Sequence, residues 1–566
     1  MTNKNYDVII VGVGASGAVF AKQLSQAGFK VLGIEFGKYF QNHRQDFVEN
    51  EAGLLSLTWS NNQYQVEGDG FTGSPNLGAH VGGGTLAWTS MAFRYFERDF
   101  KLKTQYGSPL GTAVEDWPIT YQDLEPYYQK AEEQMGVSGS SLPWYLPRTE
   151  SLPNPPHCYY ESSKLLETGM NKLGIRSAPG PVAVNSRIYQ NREACINCGF
   201  CRSGCRTDAK YQADKVLLPD AFATGNFKLE SECVVLKIIT QGNGRKAKGV
   251  VYYDKKTKLT YEVNAKVVIV CNNPMETARL FLNSADAKHP NGLGNKYDQV
   301  GRYFYAHPSI FGIGLTKSQT SIEIGYNMGN IISLDYAETK NPNEYIGGYS
   351  LLSLNGSGMG VIAVDPLQNL YGKELKTIQN ESTKFIGMIS FCEGLPTYDN
   401  RITVVPQRQD AFGSPVAKIR YYLTDNDRIL TNKAVGKMRD IMLAAGATET
   451  YIRENPFESH PMGGMRMGRN PATSVTNEFG QIHSIDNLFV AGASLFPTGS
   501  SSGPTLTIHA LALRTADYII KNSRKLLRGR RFSGWERLNY TLPDFSSNLF
   551  SFFLYCPLNA NCSNYR

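Results

Sequence analysis

A glycine loop close to the N-terminus constrains the fold of this chain more than any other feature. Apolar residues 6–11 lead directly into Gly12-Val13-Gly14-Ala15-Ser16-Gly17, a helical pattern follows over residues 18–26, and a second apolar run covers residues 31–36. A strand, a Gly-x-Gly-x-x-Gly turn and a helix in this order are typical of the βαβ unit that binds a dinucleotide. The sequence therefore predicts an α/β fold with a Rossmann-like domain on a parallel sheet.

The spacing within this loop indicates what its residues do. Gly12 permits the tight turn, Gly14 lets the backbone approach a pyrophosphate at the helix N-terminus, and Gly17 lets the helix pack closely on the strand. Glu35 stands 23 residues after Gly12, at the end of the second apolar run, where a carboxylate accepts hydrogen bonds from a ribose 2′-hydroxyl. A 2′-phosphate would be repelled there, so the loop favours FAD or NAD over NADP.

The composition describes a globular chain. It has 566 residues, 41% of them hydrophobic, which allows several domains at roughly 150 residues each. No run of residues approaches the roughly 18 consecutive apolar positions that a membrane helix needs. The net charge is +8, but most basic residues are scattered and no nucleic-acid motif accompanies them. A solvated basic surface is therefore expected, and no nucleic-acid partner.

Periodicity predicts the remaining elements. Residues 68–89 are glycine-rich around Val81-Gly82-Gly83-Gly84-Thr85, which indicates a close approach of the backbone to a ligand or to another segment. Residues 143–156 are predicted to be a connector, and residues 484–520 a strand, a turn and a helix. Helices are predicted over residues 121–135, 162–173, 275–283 and 425–445, and strands over residues 227–271, 309–315, 402–405 and 417–422.

The C-terminal part carries motifs of a known family. They are Ser459-His460-Pro461-Met462-Gly463-Gly464-Met465-Arg466-Met467-Gly468, the segment 486–498, and Gly503-Pro504-Thr505-Leu506-Thr507. Together with the two glycine-rich segments, they make the chain resemble the glucose-methanol-choline (GMC) oxidoreductase family. The resemblance is to gluconate, glucoside and glucose dehydrogenase flavoprotein subunits and to pyranose oxidase. It covers most of residues 6–523 and weakens between 310 and 450.

The resemblance implies an FAD-binding domain assembled from separate segments and an α+β substrate domain built on a largely antiparallel sheet. The implied boundaries are 1–100, 191–307 and 451–523 for the FAD-binding parts, 101–190 for a helical connector and cap region, 308–450 for the substrate domain, and 524–566 for a tail.

The resemblance also implies which residues hold FAD. They are Gly12, Gly14, Ala15, Ser16, Gly17, Glu35, Gly83, Gly84, Thr85, Val234, Ala493, Thr505 and Leu506. Pro504 suits the first turn of a helix because it lacks an N–H, and the positive end of that helix would stabilise an anionic reduced flavin. Pyranose oxidase types carry a flavin-linking histidine just before the tryptophan of the glycine-rich segment. Ala87 precedes Trp88 here, so non-covalent FAD is expected.

The implied chemistry is oxidation of a CH–OH group of a sugar, sugar acid or glycoside by hydride transfer to flavin N5. His460 matches the family's catalytic histidine, and an imidazole titrates in the range that suits a base for the hydroxyl proton. Two alternatives stay open. One is an alcohol or sterol oxidase that produces hydrogen peroxide, and the other is a flavin-binding protein that has lost turnover.

One position departs from the family. Members usually carry Asn or His directly before the Pro-Thr-Leu-Thr stretch, whereas this chain has Gly503, which has no side chain to bind a substrate hydroxyl. Ser501, Ser502, a water or His307 would then take over that hydrogen bond. The candidate catalytic positions are His460, Ser502 and Gly503.

Four cysteines lie within eleven residues. Cys195, Cys198, Cys201 and Cys205 have the spacing C-x2-C-x2-C-x3-C of ferredoxin-type runs, although Arg206 stands where such runs have proline. Three alternatives remain: a [3Fe-4S] or [4Fe-4S] cluster that passes electrons to a cytochrome partner, a loop of free thiols, and zinc. Some relatives have such a cluster and a small subunit, but their cysteine spacing differs.

The two ends of the chain carry the last expectations. Residues 6–11 lead into the glycine loop without a cleavage site, so a cytoplasmic enzyme is expected, with co-export to the periplasm alongside a partner subunit as the alternative. The tail combines a basic run at residues 524–531 with aromatic residues that include Trp535, Phe545, Phe550, Phe552, Phe553 and Tyr555. It either packs on its own chain or is disordered, or it docks on an anionic membrane or a partner subunit.

Overall fold

The computed structural model describes residues 5–50, 53, 57, 64–69, 77–140, 148–356, 367, 369–456 and 460–527. The predicted tail lies outside this range from residue 528 onward, as do residues 143–147 of the predicted connector. The described part of the chain contains no helix that is long and apolar enough to cross a membrane.

The strands are, in chain order, β1 (Asn5–Val11), β2 (Val31–Glu35), β3 (Gln65–Gly68), β4 (Phe227–Ser231), β5 (Cys233–Thr240), β6 (Ala247–Asp254), β7 (Leu259–Val270), β8 (Ser309–Leu315), β9 (Met328–Ser333), β10 (Tyr349–Leu354), β11 (Phe385–Cys392), β12 (Arg401–Gln409), β13 (Pro415–Tyr421), β14 (Glu449–Asn455) and β15 (Leu488–Val490). They form three sheets of seven, five and three strands.

The helices are α1 (Ala15–Gln26), α2 (His43–Asp46), α3 (Leu102–Tyr106), α4 (Tyr121–Met135), α5 (Glu161–Lys172), α6 (Ala213–Val216), α7 (Leu218–Ala223), α8 (Pro274–Asn283), α9 (Gly372–Asn380), α10 (Asp425–Ala444), α11 (Thr505–Lys521) and α12 (Ser523–Leu526). The predicted helices are confirmed to within a few residues at each end. Residues 83–86 form a short 3-10 turn within the glycine-rich segment.

The seven-stranded sheet confirms the predicted Rossmann-like core. Its order is β4-β2-β1-β7-β6-β5, with β15 also paired to β7. Strands β4, β2, β1, β7 and β15 run parallel, and β5 and β6 extend the sheet in antiparallel fashion. Ile9 lies opposite Leu32 on one side and Val268 on the other, and all three side chains are buried. Such continuous apolar runs are what a parallel sheet covered on both faces requires.

Local sequence sets the helix ends around this sheet. Thr120 and Asp123 form a reciprocal capping box at the start of α4, and Gly136 ends that helix with φ of +71°. Asn273 caps α8 by accepting a hydrogen bond from the Glu276 amide at 3.0 Å. Helix α11 packs against α1 and α4, which places the C-terminal segment against the N-terminal glycine loop.

The second sheet confirms the predicted antiparallel platform. Its order is β14-β8-β11-β10-β9, and every pairing is antiparallel. Helices α5 and α10 pack on it through a core that includes Met170, Met388, Met438 and Ile441. Strand β14 belongs to this sheet and spans the predicted boundary at residue 450.

The antiparallel platform was predicted from three strand patterns, and two of these strands belong to a different sheet. The runs at 402–405 and 417–422 form β12 and β13, which pair with β3 in the three-stranded sheet. Helix α8 holds them. Arg279 on α8 donates to the Pro415 carbonyl at 2.7 Å and forms an ion pair with Asp410 at 2.5 Å. These contacts join residues more than 130 positions apart and are invisible to a local pattern.

Candidate functional site

The predicted glycine loop has no room for side chains. A Cβ atom on Gly12 would lie 2.5 Å from the Asn272 side-chain oxygen, and one on Gly17 would lie 2.0 Å from the Gly12 carbonyl oxygen. Both distances are well below van der Waals contact. The glycines therefore allow the tight turn and the close packing of α1 on β1, as the sequence predicted.

The second glycine-rich segment packs directly on the first. The Gly82 amide donates to the Val13 carbonyl at 2.8 Å, and a Cβ on Gly83 would lie 2.8 Å from the Gly14 Cα. A Cβ on Gly84 would meet nothing within 4 Å. Thr85 closes the turn by donating to the Gly82 carbonyl at 2.6 Å. The two segments form one backbone cradle, which we call the glycine cradle (residues 12–17 and 82–85).

Glu35 is buried at the edge of this cradle. Its carboxylate accepts hydrogen bonds from the amides of Val13 at 2.7 Å and Gly37 at 3.0 Å. Burial raises the pKa of Glu35 above its usual range, and the two amides act in the opposite direction. Each carboxylate oxygen can accept a further hydrogen bond, which suits the predicted ribose contact.

Two helix N-termini lack side-chain caps. Neither Gly14 at the start of α1 nor Pro504 at the start of α11 supplies a side-chain hydrogen bond to the first turn. The first amides of both helices are thus available to an anion. They include those of the predicted FAD residues Ala15, Ser16, Thr505 and Leu506.

The other predicted FAD residues lie on neighbouring elements. Ala493 is buried directly after Gly492, where a Cβ would lie 3.9 Å from the Ser16 hydroxyl. Val234 lies on β5, which contacts β2, the strand that ends at Glu35. The glycine cradle, the uncapped helix ends and the buried carboxylate together fit a dinucleotide such as FAD.

Two histidines meet at the predicted catalytic position. The Nδ1 atoms of His460 and His307 lie 3.0 Å apart, their ring planes are nearly perpendicular, and Phe391 packs against both rings. A backbone bridge holds them there, because Tyr305 and Met462 exchange two hydrogen bonds of 3.1 and 2.8 Å. His307 lies two residues after Tyr305, and His460 lies two residues before Met462. The bridge therefore brings the two histidines face to face.

Both imidazoles are neutral at ordinary pH. Burial lowers the pKa of His460 to about 4. Burial and the neighbouring His460 hold the pKa of His307 well below its ordinary value, and the main chain of Ser500 raises it by a smaller amount. Only one proton lies between the two Nδ1 atoms, so one ring donates and the other accepts.

The segment with the family departure lies beside this pair. Residues 500–503 are buried, and a Cβ on Gly503 would lie 3.8 Å from the His460 Cε1. The Ser502 hydroxyl is buried and has no hydrogen-bond partner in the part of the chain that the structure describes. The three predicted catalytic positions are therefore brought together, and His307 joins them.

Sequence reasoning missed a charged cluster behind this segment. Arg98 forms ion pairs with Asp99 at 3.3 Å and with Glu393 at 3.1 Å, and both carboxylates are completely buried. Asp99 follows Arg98 directly, but Glu393 lies at the end of β11, almost 300 positions away. No spacing or motif joins these residues in the sequence.

The cysteine run forms a loop around a cavity. All four thiols line it together with Lys210, but no three His, Cys, Asp or Glu side chains of the described residues are placed to hold a metal ion. Burial raises the pKa of the Cys195, Cys198 and Cys201 thiols. Lys210, whose pKa burial lowers to about 8, donates to the carbonyls of Leu86 and Cys201, both at 2.7 Å. It thus ties the loop to the residue that directly follows the glycine cradle.

Comparison with family models gives two matches. The N-terminal model described as GMC oxidoreductase matches residues 6–309, and the C-terminal model of the same description matches residues 396–512.

Named relatives align over almost the whole chain. The 2-methyl-1,2-propanediol dehydrogenase of Mycolicibacterium austroafricanum is 32% identical over 91% of this chain and 95% of its own length. The fructose dehydrogenase large subunit of Gluconobacter japonicus is 28% identical over 92% and 98%. The gluconate 2-dehydrogenase flavoprotein of Pantoea cypripedii is 25% identical over 91% and 94%.

Solved structures share the fold. Pyridoxine 4-oxidase from Mesorbium loti superposes with a TM-score of 0.63 at 16% identity, over 90% of this chain and 98% of that one. A variant of formate oxidase from Aspergillus oryzae superposes with a TM-score of 0.66 at 15% identity, over 93% and 100%. At these identities the likeness concerns the fold alone.

Proposed function

The chain belongs to the GMC oxidoreductase family, and from that premise we propose that it oxidises a CH–OH group of a sugar, sugar acid or glycoside with His460 as the base. It is an FAD-dependent oxidoreductase. The observation that carries the proposal is the buried pair of His460 and His307 beside Ser502 and Gly503. The named dehydrogenases of a diol, of fructose and of gluconate support this substrate class.

FAD would be held by the glycine cradle, by Glu35 and by the first amides of α1 and α11. When bound, it supplies a hydride acceptor at its N5 atom. Ala87 cannot form a covalent link to the flavin, which supports non-covalent binding. The positive end of α11 stabilises negative charge in front of it, and this effect is largest for buried, water-excluded groups.

His460 can take the hydroxyl proton, although burial makes it a weaker base than a free imidazole. Its pKa of about 4 leaves the ring neutral at ordinary pH, so a lone pair is available to take the hydroxyl proton. When Nδ1 of His460 donates to Nδ1 of His307, that lone pair lies on Nε2 of His460. His307 thereby fixes the tautomer and the ring orientation, as an acceptor behind a catalytic imidazole commonly does.

The same contact accounts for the absent side chain at Gly503. In the family this position supplies a second polar group next to the base. Here a second imidazole already lies within hydrogen-bond distance of His460, and the buried Ser502 hydroxyl is free to bind the substrate oxygen. We assign substrate binding to Ser502 and orientation of His460 to His307.

The electron acceptor depends on the cysteine loop. Four thiols around one cavity support a [3Fe-4S] or [4Fe-4S] cluster and, with it, a small subunit and a cytochrome acceptor. The absence of a three-ligand arrangement among the described residues supports a loop of free thiols instead. Iron and sulfide content decide between the two.

The test is anaerobic addition of sugars, sugar acids and glycosides to the purified flavoprotein. At least one of them should bleach the flavin absorbance, and His460→Asn should slow that bleaching about 10²- to 10⁴-fold while FAD stays bound. His289→Asn is the matched control, because the partly buried ring of His289 pairs with Asp286 in a segment that contains none of the proposed site residues. The proposal would be contradicted if none of the substrates bleached the flavin of the wild-type protein. It would also be contradicted if His460→Asn bleached as fast as the wild type.

A further inference from the structure

Residues 498–503 carry two of the proposed site positions, Ser502 and Gly503, and are held by no regular structure. They lie between the short 3-10 turn Ala493–Leu495 and helix α11, and all of them are buried. In the part of the chain that the structure describes, no backbone group of residues 497–503 is hydrogen-bonded to another backbone group. A buried loop of this kind depends on side chains for its position.

The side chain of Thr498 anchors the start of this segment. Its hydroxyl accepts a hydrogen bond from the Trp117 indole Nε1 at 2.9 Å and donates one to the Asp99 carbonyl at 3.1 Å. An indole N–H can only donate and a carbonyl can only accept, so the direction of both bonds is fixed. Thr498 is completely buried. Loss of its hydroxyl would therefore leave the buried indole donor without its partner.

Trp117 is itself held firmly. Its ring centroid lies 5.1 Å from that of Phe100 and 5.0 Å from that of Phe496, and its amide donates to the Phe100 carbonyl at 2.9 Å. Phe496 lies two residues before Thr498. The indole thus contacts this stretch of chain twice, through its ring and through its N–H, although 381 positions separate it from Thr498.

The segment reaches the histidine pair at two points. A Cβ on Gly499 would lie 3.5 Å from His307 Nε2 and 3.3 Å from the Tyr305 ring, and a Cβ on Gly503 would lie 3.8 Å from His460 Cε1. A side chain of a single carbon would already touch these rings, so the backbone of the segment packs directly against them. A displacement of residue 498 is therefore passed on to both imidazoles and to the residues between Gly499 and Gly503.

We propose that Thr498 is a positioning residue of the reaction: held by Trp117 and by the Asp99 carbonyl, it sets the distance between Ser502 and His460. This rests on the proposed function, in which Ser502 binds the substrate oxygen and His460 takes its proton. Thr498 itself does not touch the substrate. A displacement of about 1 Å between reacting groups can slow a reaction about 100-fold. Orientation of the base matters only once the proton moves, so the loss should appear in the rate at saturating substrate.

The test compares Thr498→Val and Thr498→Ser with the wild type in anaerobic flavin reduction, with rates taken per bound FAD. Valine keeps the shape of threonine but makes neither hydrogen bond, whereas serine keeps the hydroxyl and loses only a methyl group. Thr498→Val should lower the limiting rate about 10- to 100-fold and change the half-saturating substrate concentration less than about threefold. Thr498→Ser should stay within about threefold of the wild type in both quantities.

Thr320→Val is the matched control. Thr320 is a buried threonine whose hydroxyl also donates to a main-chain carbonyl, that of Thr383 at 3.1 Å. Thr383 precedes the start of β11, whereas Phe391, which packs on the histidines, lies near the other end of that strand. The limiting rate of Thr320→Val should therefore equal that of the wild type.

Trp117→Phe gives a second variant, which keeps an aromatic ring in the packing and removes the N–H donor. It should lower the limiting rate about 3- to 10-fold. Since Thr498→Val already breaks the same hydrogen bond, the double variant should be slower than Thr498→Val by less than about twofold.

Three results would overturn the inference while leaving the proposed function intact. They are a Thr498→Val rate within about twofold of the wild type, a Thr498→Ser rate as low as that of Thr498→Val, and effects of Trp117→Phe and Thr498→Val that simply multiply. If Thr498→Val does not fold, the Trp117→Phe rate decides, and a rate within about twofold of the wild type overturns the inference. If no substrate reduces the wild-type flavin, the proposed function fails and this inference fails with it.

Discussion

His307 and His460 share a hydrogen bond between their Nδ1 atoms at 3.0 Å, although 153 positions separate them in the chain. Because both rings are buried and neutral, each fixes the tautomer of the other. The base of the reaction is thereby oriented by a second imidazole rather than by a carboxylate.

We expect His307→Ala to lower kcat for substrate oxidation about 10- to 10³-fold with a small change in KM. The lost contact orients the base in the transition state and does not bind the substrate. FAD content should stay at the wild-type ratio. Steady-state kinetics with a dye acceptor measures this, and a change confined to KM would contradict the assignment.

We expect Gly503→Asn to fold and to bind FAD. We also expect the double variant, His307→Ala with Gly503→Asn, to be at least tenfold more active than His307→Ala alone. A Cβ at this position fits at 3.8 Å from the His460 ring, and the Gly503 backbone lies outside the left-handed region. The amide would then supply the polar neighbour that other family members carry here. A double variant no faster than His307→Ala alone would show that the two positions are not interchangeable.

We expect Gly83→Ala to abolish FAD retention. Its Cβ would lie 2.8 Å from the Gly14 backbone, and its φ of +57° disfavours a side chain. Gly436→Ala is the control, because its Cβ points from α10 into open space and alanine stabilises a helix by about 1 kcal/mol relative to glycine. The flavin-to-protein ratio after purification measures the effect. A Gly83→Ala protein with a full complement of FAD would refute the model of the glycine cradle.

We expect His43 to make stability depend on pH. Its ring binds Asp208 at 2.7 Å and Asp214 at 2.8 Å. Burial alone lowers the pKa of His43, but these hydrogen bonds outweigh burial and leave it above the ordinary value of 6.5. The stabilisation is therefore complete below pH 6.5 and is lost as the pH rises through the folded pKa.

The measurement is thermal unfolding of His43→Gln against the wild type from pH 5.5 to 9. The variant should be less stable by about 3 kcal/mol at the acid end, since it leaves two carboxylates without their buried cation. The gap should narrow as the pH rises. A gap that widens with pH would show that His43 is neutral in the folded protein.

We expect the thiols of the cysteine loop to differ in reactivity. Cys198 is exposed and Cys201 is buried, and burial raises the pKa of Cys201 to about 12. In iron-free protein, iodoacetamide should therefore modify Cys198 at least ten times faster, as read by mass spectrometry. If stoichiometric iron and sulfide are present, both thiols should be protected until the metal is removed. Modification of Cys201 first would contradict the loop as described.

Much of the fold followed from local patterns. Residues 6–36 predicted the first βαβ unit because hydrophobic periodicity and glycine placement depend only on near neighbours. Helices α4, α8 and α10 were predicted for the same reason, since their capping residues are adjacent in sequence. The runs at 402–405 and 417–422 were correctly predicted as strands, but they were wrongly assigned to the antiparallel platform. The contacts of Arg279 with Pro415 and Asp410 that place them elsewhere are long-range and leave no local pattern.

The sequence by itself determined the dinucleotide loop, the family motifs and the identity of His460 as candidate base, since each is a short run whose residue types and spacing carry the chemistry. Only the tertiary structure decided that His307 is its partner and that Asp99 and Glu393 lie behind Ser500. These contacts join residues that lie far apart in the chain, and burial lowers the pKa of both histidines. Neither the distance between two residues across the fold nor the burial of a side chain can be predicted from neighbouring residues in the sequence.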